Sequence, residues 1–218
     1  MKNLGRIGVF SVLLPLVAWG AVGCAIDGSP PDAGDANLDV VQMFADYPFY
    51  DSLASVVDDA DIVVVGTLVR SEDVIQYPAN LGDDPLANPQ AGVGELSEED
   101  RDIMGVPTTV STVRVESSLK GHLKSGALIA ISQDGGAMAG KQYREASTTL
   151  LGEAGVGRFV LAGSRYPNGK YGLVDPVLGL LLVSGETVRF AKPELVGHRS
   201  LGVSKLSDLP ALVKESAR

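Results

Sequence analysis

Few residues in this 218-residue chain carry chemistry by themselves, and their spacing limits what each can do. There is one cysteine, Cys24, so no disulfide can form within the chain and no second thiol can share a metal or a redox step. The two histidines, His122 and His198, lie far apart and in no metal-ligand spacing such as H-x-H or H-x-x-x-H. Each reads as a solvated turn residue rather than a ligand or a general base. A Ser-His-Asp triad can be assembled from distant positions, but the chain has no G-x-S-x-G elbow. Seven acids, Asp83, Asp84, Glu95, Glu98, Glu99, Asp100 and Asp102, gather in one stretch without the spacing of an EF-hand. They read as a solvated acidic face, with a weak, irregular Ca²⁺ site as the alternative.

Two further patterns imitate catalytic motifs. Gly135-Gly136-Ala137-Met138-Ala139-Gly140-Lys141-Gln142 nearly spells a P-loop, but Gln142 stands where a Ser or Thr hydroxyl would hold Mg²⁺. The stretch reads as a turn after a strand. Ser117-x-x-Lys120 and Lys124-Ser125-Gly126 echo penicillin-binding proteins and serine β-lactamases. In those enzymes the two motifs sit on distant elements, whereas here they nearly touch in sequence and Ser-Asp-Asn is missing. No catalytic, cofactor-binding or metal-ligating residue is therefore assigned.

Cys24 is different, because its surroundings give it a task. Lys2 and Arg6 precede an apolar run over residues 7–20, which is shorter than the roughly 20 residues a membrane-spanning helix needs. A charged start, a short apolar core and small residues at its exit mark a cleavable export signal. The exit, Ala21-Val22-Gly23-Cys24, resembles the lipobox of bacterial lipoproteins, with Ala21 where that family more often has Leu. The resemblance implies cleavage before Cys24, a thioether-linked diacylglycerol on its sulfur and often an added N-acyl chain such as palmitate. The alternative is an ordinary signal cut after Gly23 that leaves a free thiol. Two acyl chains give stable anchoring where one gives only reversible binding. The expected location is then the extracytoplasmic side of a cell-envelope membrane.

Removing Lys2 and Arg6 with the signal leaves 16 bases against 27 acids, a formal charge of −11. That balance opposes nucleic acid and anionic headgroups alike. Acyl chains must then hold the protein to a membrane without help from charge.

The elements behind the anchor follow in order. Residues 24–39 read as the acylated cysteine and a flexible tether, residues 25–39 being rich in Gly, Pro, Asp and Ala. Fifteen such residues reach about 20 Å on average and about 50 Å at full extension. Residues 40–218 read as one β-rich domain. Within 40–59, Leu53, Val56, Val57 and Ala60 repeat with helical spacing. Asp51 and Ser52 are the candidate caps, and Val41, Phe44 and Phe49 are expected to anchor the preceding segment in the core. Residues 61–70 form a strand buried on both faces, with Gly66 as a bulge or bend. Residues 71–108 read as a long loop carrying four prolines and one or two helical turns after Ser97. Strands are expected over 110–116, 127–132 and 158–164, and residues 133–157 read as Gly-rich and irregular. Hairpins are expected about Pro167-Asn168-Gly169 and Ser184-Gly185-Glu186. Ser207 is expected to cap a final helix with Leu209, Leu212 and Val213 on its apolar stripe.

Short strands, hairpins and no regular strand–helix alternation predict a mainly β fold. The expected form is a small OB-like antiparallel barrel or sandwich with a short N-terminal helix and a C-terminal helix. The bulged first strand, the pattern running from Val113 to Ile131 and the late hairpins resemble a group of secreted bacterial OB-like barrels, similar to netrin or metalloproteinase-inhibitor modules. The resemblance implies a fold and carries no site residues. Three functions fit: a non-catalytic domain that binds a protein or glycan, a membrane-anchored hydrolase with a dispersed active site, and a protease inhibitor. The inhibitor mechanism of similar modules needs a free N-terminal cysteine, which acylation of Cys24 would remove.

Overall fold

The computed structural model describes residues 38–77, 97, 104–198 and 203–216. The export signal, Cys24, most of the tether, the seven loop acids and the expected helical turns after Ser97 lie outside the described residues.

Nine strands make up the described sheet: β1 (Asp39–Met43), β2 (Ile62–Gln76), β3 (Val106–Lys120), β4 (Leu128–Met138), β5 (Lys141–Glu145), β6 (Arg158–Arg165), β7 (Tyr171–Leu173), β8 (Leu180–Ser184) and β9 (Thr187–Phe190). Helices α1 (Leu53–Asp59), α2 (Pro193–Val196) and α3 (Leu209–Ser216) accompany them. The strand order is β1-β5-β4-β3-β2-β6-β8-β9, with β7 bridging β4 and β6. That bridge turns five strands, β2, β3, β4, β7 and β6, into a ring. All its pairs are antiparallel except β4 with β7, which close it through Ile131–Tyr171 and Ser132–Gly172. The molecule is thus mainly β, with a sheet that closes in part into a ring, a short helix before it and a helix at its end.

Strand β2 organises the packing, and alternation explains how. Ile62 and Val64 face a cluster inside the ring with Val113, Val115, Ile129, Ile131, Phe159 and Leu161. Val63 and Val65 face the other way, onto a second cluster that takes Leu53, Val56 and Val57 from α1 and Leu209 and Val213 from α3. Burial on both faces is what an unbroken apolar run requires. The expected bulge is present: the register with β3 shifts between Val65 and Gly66. A side chain at Gly66 would meet Val113 at 2.5 Å and the Arg114 carbonyl at 2.9 Å, so only glycine lets β3 cross this closely.

Several boundaries differ from expectation. The ends of the 71–108 stretch are strand, since β2 continues to Gln76 and β3 begins at Val106. Residues 71–76 are mostly exposed and polar, so backbone pairing with β3 holds them rather than burial. Half of the expected irregular stretch 133–157 is also strand, because β4 runs on to Met138 and pairs with β5. Ser52 caps α1 through the Ser55 amide, as expected. Ser207 does not cap α3; it lies inside a 3₁₀ turn, Leu206–Asp208, that feeds the helix. Phe44 and Phe49 do not enter the core but stand 90% and 83% exposed. Tyr50 packs there instead, and its hydroxyl donates to Asp59.

Candidate functional site

A polar groove runs along the β4–β5 arm, made of three hollows that share walls. The first is a slot of about 30 Å³ between Tyr47, Asp134, Thr148 and Tyr166, with Leu173 and Pro176 as apolar surface. The second, of about 160 Å³, shares Asp134 and Thr148 and adds Tyr143, Arg144, Glu145 and Lys192. The third, of about 190 Å³, shares Leu150 and Glu153 with the second and adds Asp73, Thr109 and Gln142.

Asp134 is the centre of the slot, on the polar half of β4 that follows the core residues Ile129 and Ile131. Tyr47 comes from the segment between β1 and α1, and its hydroxyl donates to Asp134 Oδ2 at 3.0 Å. Tyr166 comes from the start of the β6–β7 turn, and its ring lies against bare backbone: a side chain at Gly172 would sit 2.1 Å from its hydroxyl oxygen. Burial pushes the Tyr47 hydroxyl well above the usual tyrosine value, the Asp134 charge adds to this, and a hydrogen bond with Thr148 opposes it. Tyr166 is raised by burial first and by the Asp134 charge second. Both phenols therefore stay protonated at physiological pH, and that of Tyr47 donates to Asp134.

The wall of the second hollow is the 145–150 loop, and its backbone groups are individually held. Glu145, only 8% exposed, accepts from the Ser147 amide at 2.9 Å, the Ser147 hydroxyl and the Thr148 amide at 2.8 Å. Lys192 donates to the carbonyls of Ala146 and Thr148. Gln133, also buried, donates to the Thr149 carbonyl at 2.7 Å and accepts from the Leu151 amide at 3.0 Å. A loop tied at so many points needs little ordering when something binds against it. Arg144 and Glu153 form a wider pair at the rim, 3.8 Å apart and about half exposed.

In the third hollow Asp73 of β2 accepts from Thr109 Oγ1 at 2.6 Å and from the Ala137 amide at 2.8 Å. Gly136 makes this possible. Its φ is +139°, and an added side chain would lie 2.6 Å from Asp73 and 2.7 Å from Thr109. The glycine pair that makes this stretch look like a loop in the sequence is thus what lets β2, β3 and β4 close on one another.

The residues singled out from sequence fall elsewhere. The P-loop imitation is the β4–β5 hairpin, turning at Ala139 and Gly140 with no helix after it. Ser117 to Lys120 end β3, where a catalytic serine motif would open a helix. His122 is exposed in the following turn at a φ of +55°, and His198 is exposed after α2. His122 does line a hollow of about 470 Å³, with Ser118, Lys120, Pro210, Val213 and Lys214. Its partners are engaged there. Ser118 donates to the Lys120 carbonyl and accepts from the Leu123 amide. Lys120 donates to the carbonyls of Val57 and Asp58 and so closes the end of α1.

Among the described residues no group of three or more His, Cys, Asp and Glu is placed to hold a metal ion. Sequence reasoning missed Tyr47, Asp134, Glu145 and Tyr166. The available signal was the run Ser132-Gln133-Asp134, three polar residues continuing directly from the apolar alternation of a core strand. The chain matches no protein-family model and no curated protein.

Proposed function

We propose that this protein is an extracytoplasmic lipoprotein, anchored through acyl chains on Cys24, whose β-domain binds a protein or glycan without catalysis. The groove around Asp134 is the binding site in this reading. Residues 1–23 would be removed as the signal, 24–39 would serve as the tether, and 40–218 would form the single binding domain.

The observation that supports a binding role is the preorganisation of the groove. Its phenols stay protonated, its loop is tied by Glu145, Gln133 and Lys192, and its carboxylates are fixed by neighbours. Such a surface offers directional hydrogen bonds beside tyrosine rings, which suits recognition. The anchored-hydrolase reading needs a nucleophile and a proton carrier in one cleft. Near His122 the serine and lysine are taken up by structural hydrogen bonds, which weighs against it. The charge of −11 on the mature chain argues against nucleic acid as the ligand.

Two measurements test this. Labelled fatty acid should enter the wild-type protein in cells and be absent from Cys24→Ser, which should accumulate unprocessed; incorporation into Cys24→Ser overturns the anchor. A photo-crosslinking amino acid at Arg144 should capture a discrete partner in living cells, and the same group at Lys124 should not. Capture that survives Asp134→Ala with unchanged yield overturns the groove as the binding site.

A further inference from the structure

Phe44 and Phe49 are aromatic side chains of the same short segment, and both face solvent, at 90% and 83% exposure. The segment is not loose. Tyr47 and Tyr50, interleaved with them, turn inward and donate hydrogen bonds to Asp134 and Asp59. Upstream, β1 is paired along its length with β5, and downstream Ser52 caps α1. A backbone held at four points thus presents two bare phenyl rings to its surroundings. Two large apolar rings fixed in the open by one short, tied segment are available to an apolar partner.

The occupant is indicated by where the chain leads. Phe44 lies twenty positions after Cys24, and Phe49 five further on. If Cys24 carries the lipid, this segment belongs to the part of the described domain nearest in sequence to the bilayer. Asp39, Asp46 and Asp51 accompany them, which disfavours an anionic surface and leaves a zwitterionic one. Phenylalanine is a common apolar anchor of segments that lie in the headgroup layer.

We propose that Phe44 and Phe49 form a wedge that enters the interfacial layer of the membrane to which the protein is anchored, fixing the domain against it. This rests on the lipoprotein reading of Cys24, and the test separates the two. The chain has one tryptophan, Trp19, in the signal, so the mature protein has none and a single one can be introduced. Phe44→Trp and Phe49→Trp are purified from membranes, their acylation at Cys24 is read by mass spectrometry, and they are reconstituted into phosphatidylcholine vesicles. Lipids brominated in the upper acyl chain should quench both by at least twofold, and leave Val69→Trp, an exposed position on β2, unquenched. Water-like, unquenched emission from acylated protein overturns the wedge while the anchor stands. A blue shift without quenching assigns the pair to a second copy of the chain and also overturns it. If Cys24 carries no lipid, the anchor falls. Quenching of the unacylated variants by the same vesicles then still supports the wedge, and its absence overturns it.

Discussion

One hollow and one groove on this domain are lined by different residue types and end with different properties. The one beside β3 and α3 holds His122, Ser118 and Lys120, residue types that can move protons or attack carbonyls. There the serine steadies a turn and the lysine closes α1, so their polar atoms serve the fold. The groove along β4 and β5 holds tyrosines and carboxylates drawn from several segments. Its buried members hold one another in place, and its rim residues face outward. In both places the backbone takes up many of the polar atoms, and the groove differs in gathering tyrosine rings and carboxylates from several segments along one face.

The largest effect expected on this contrast comes from Gly136→Ala. Its positive φ and the contacts to Asp73 and Thr109 make a side chain there cost about 3 kcal/mol. For a domain of this size the melting temperature, read by circular dichroism, should fall by about 6–12 °C. Loss of less than about 1 °C would show that β2, β3 and β4 do not depend on this contact. Tyr47→Phe should cost about 1 kcal/mol at neutral pH, by removing the hydrogen bond to Asp134.

The same substitution changes the alkaline limb, and the sign follows from the raised value of Tyr47. Below about pH 10 the residue is protonated in folded and unfolded chains alike. Above that the unfolded chain releases its proton while the folded chain keeps it, so stability falls as pH rises toward the folded value. Tyr47→Phe should therefore lose less stability between pH 9 and 11 in urea titrations than the wild type. Tyr50 and Tyr166, raised too, keep the limb from vanishing. An identical limb in the variant would show that Tyr47 is not held as the structure has it.

The smallest effect lies in the other hollow. Lys120→Met should cost about 0.5 kcal/mol through lost contact with the last carbonyls of α1. Crosslinking from Arg144 should be unchanged by it. A loss of capture without loss of stability would give the Lys120 hollow a functional part and break the contrast.

Much of the barrel was legible in sequence because burial dictates it. Ile62 to Val65 read as buried on both faces and are; Gly66 reads as a bulge and is one; the turns at Gly169 and Gly185 both take positive φ. Strands held by pairing rather than burial were not legible. Residues 71–76 carry no apolar alternation, and Gly135 and Gly136 read as loop although they lie in β4. Aromatic identity misled at Phe44 and Phe49, since hydrophobicity does not say which rings of a segment turn inward. The groove was illegible for a topological reason. Tyr47, Asp73, Asp134, Glu145 and Tyr166 are far apart in the chain, and only the ring and its β5 arm bring them together.

The ring has a seam, and the seam has a schedule. Strand β4 finds its closing partner through Ser132 and Gly172, forty positions apart, by just two residue pairs. The chain reaches its folding compartment N-terminus first, so the Ile131–Ser132 stretch of β4 waits with an unpaired border while β5 and β6 emerge. A bare strand border is a template for another chain. The interval between making Ser132 and Gly172 is thus when two growing copies can zip together wrongly.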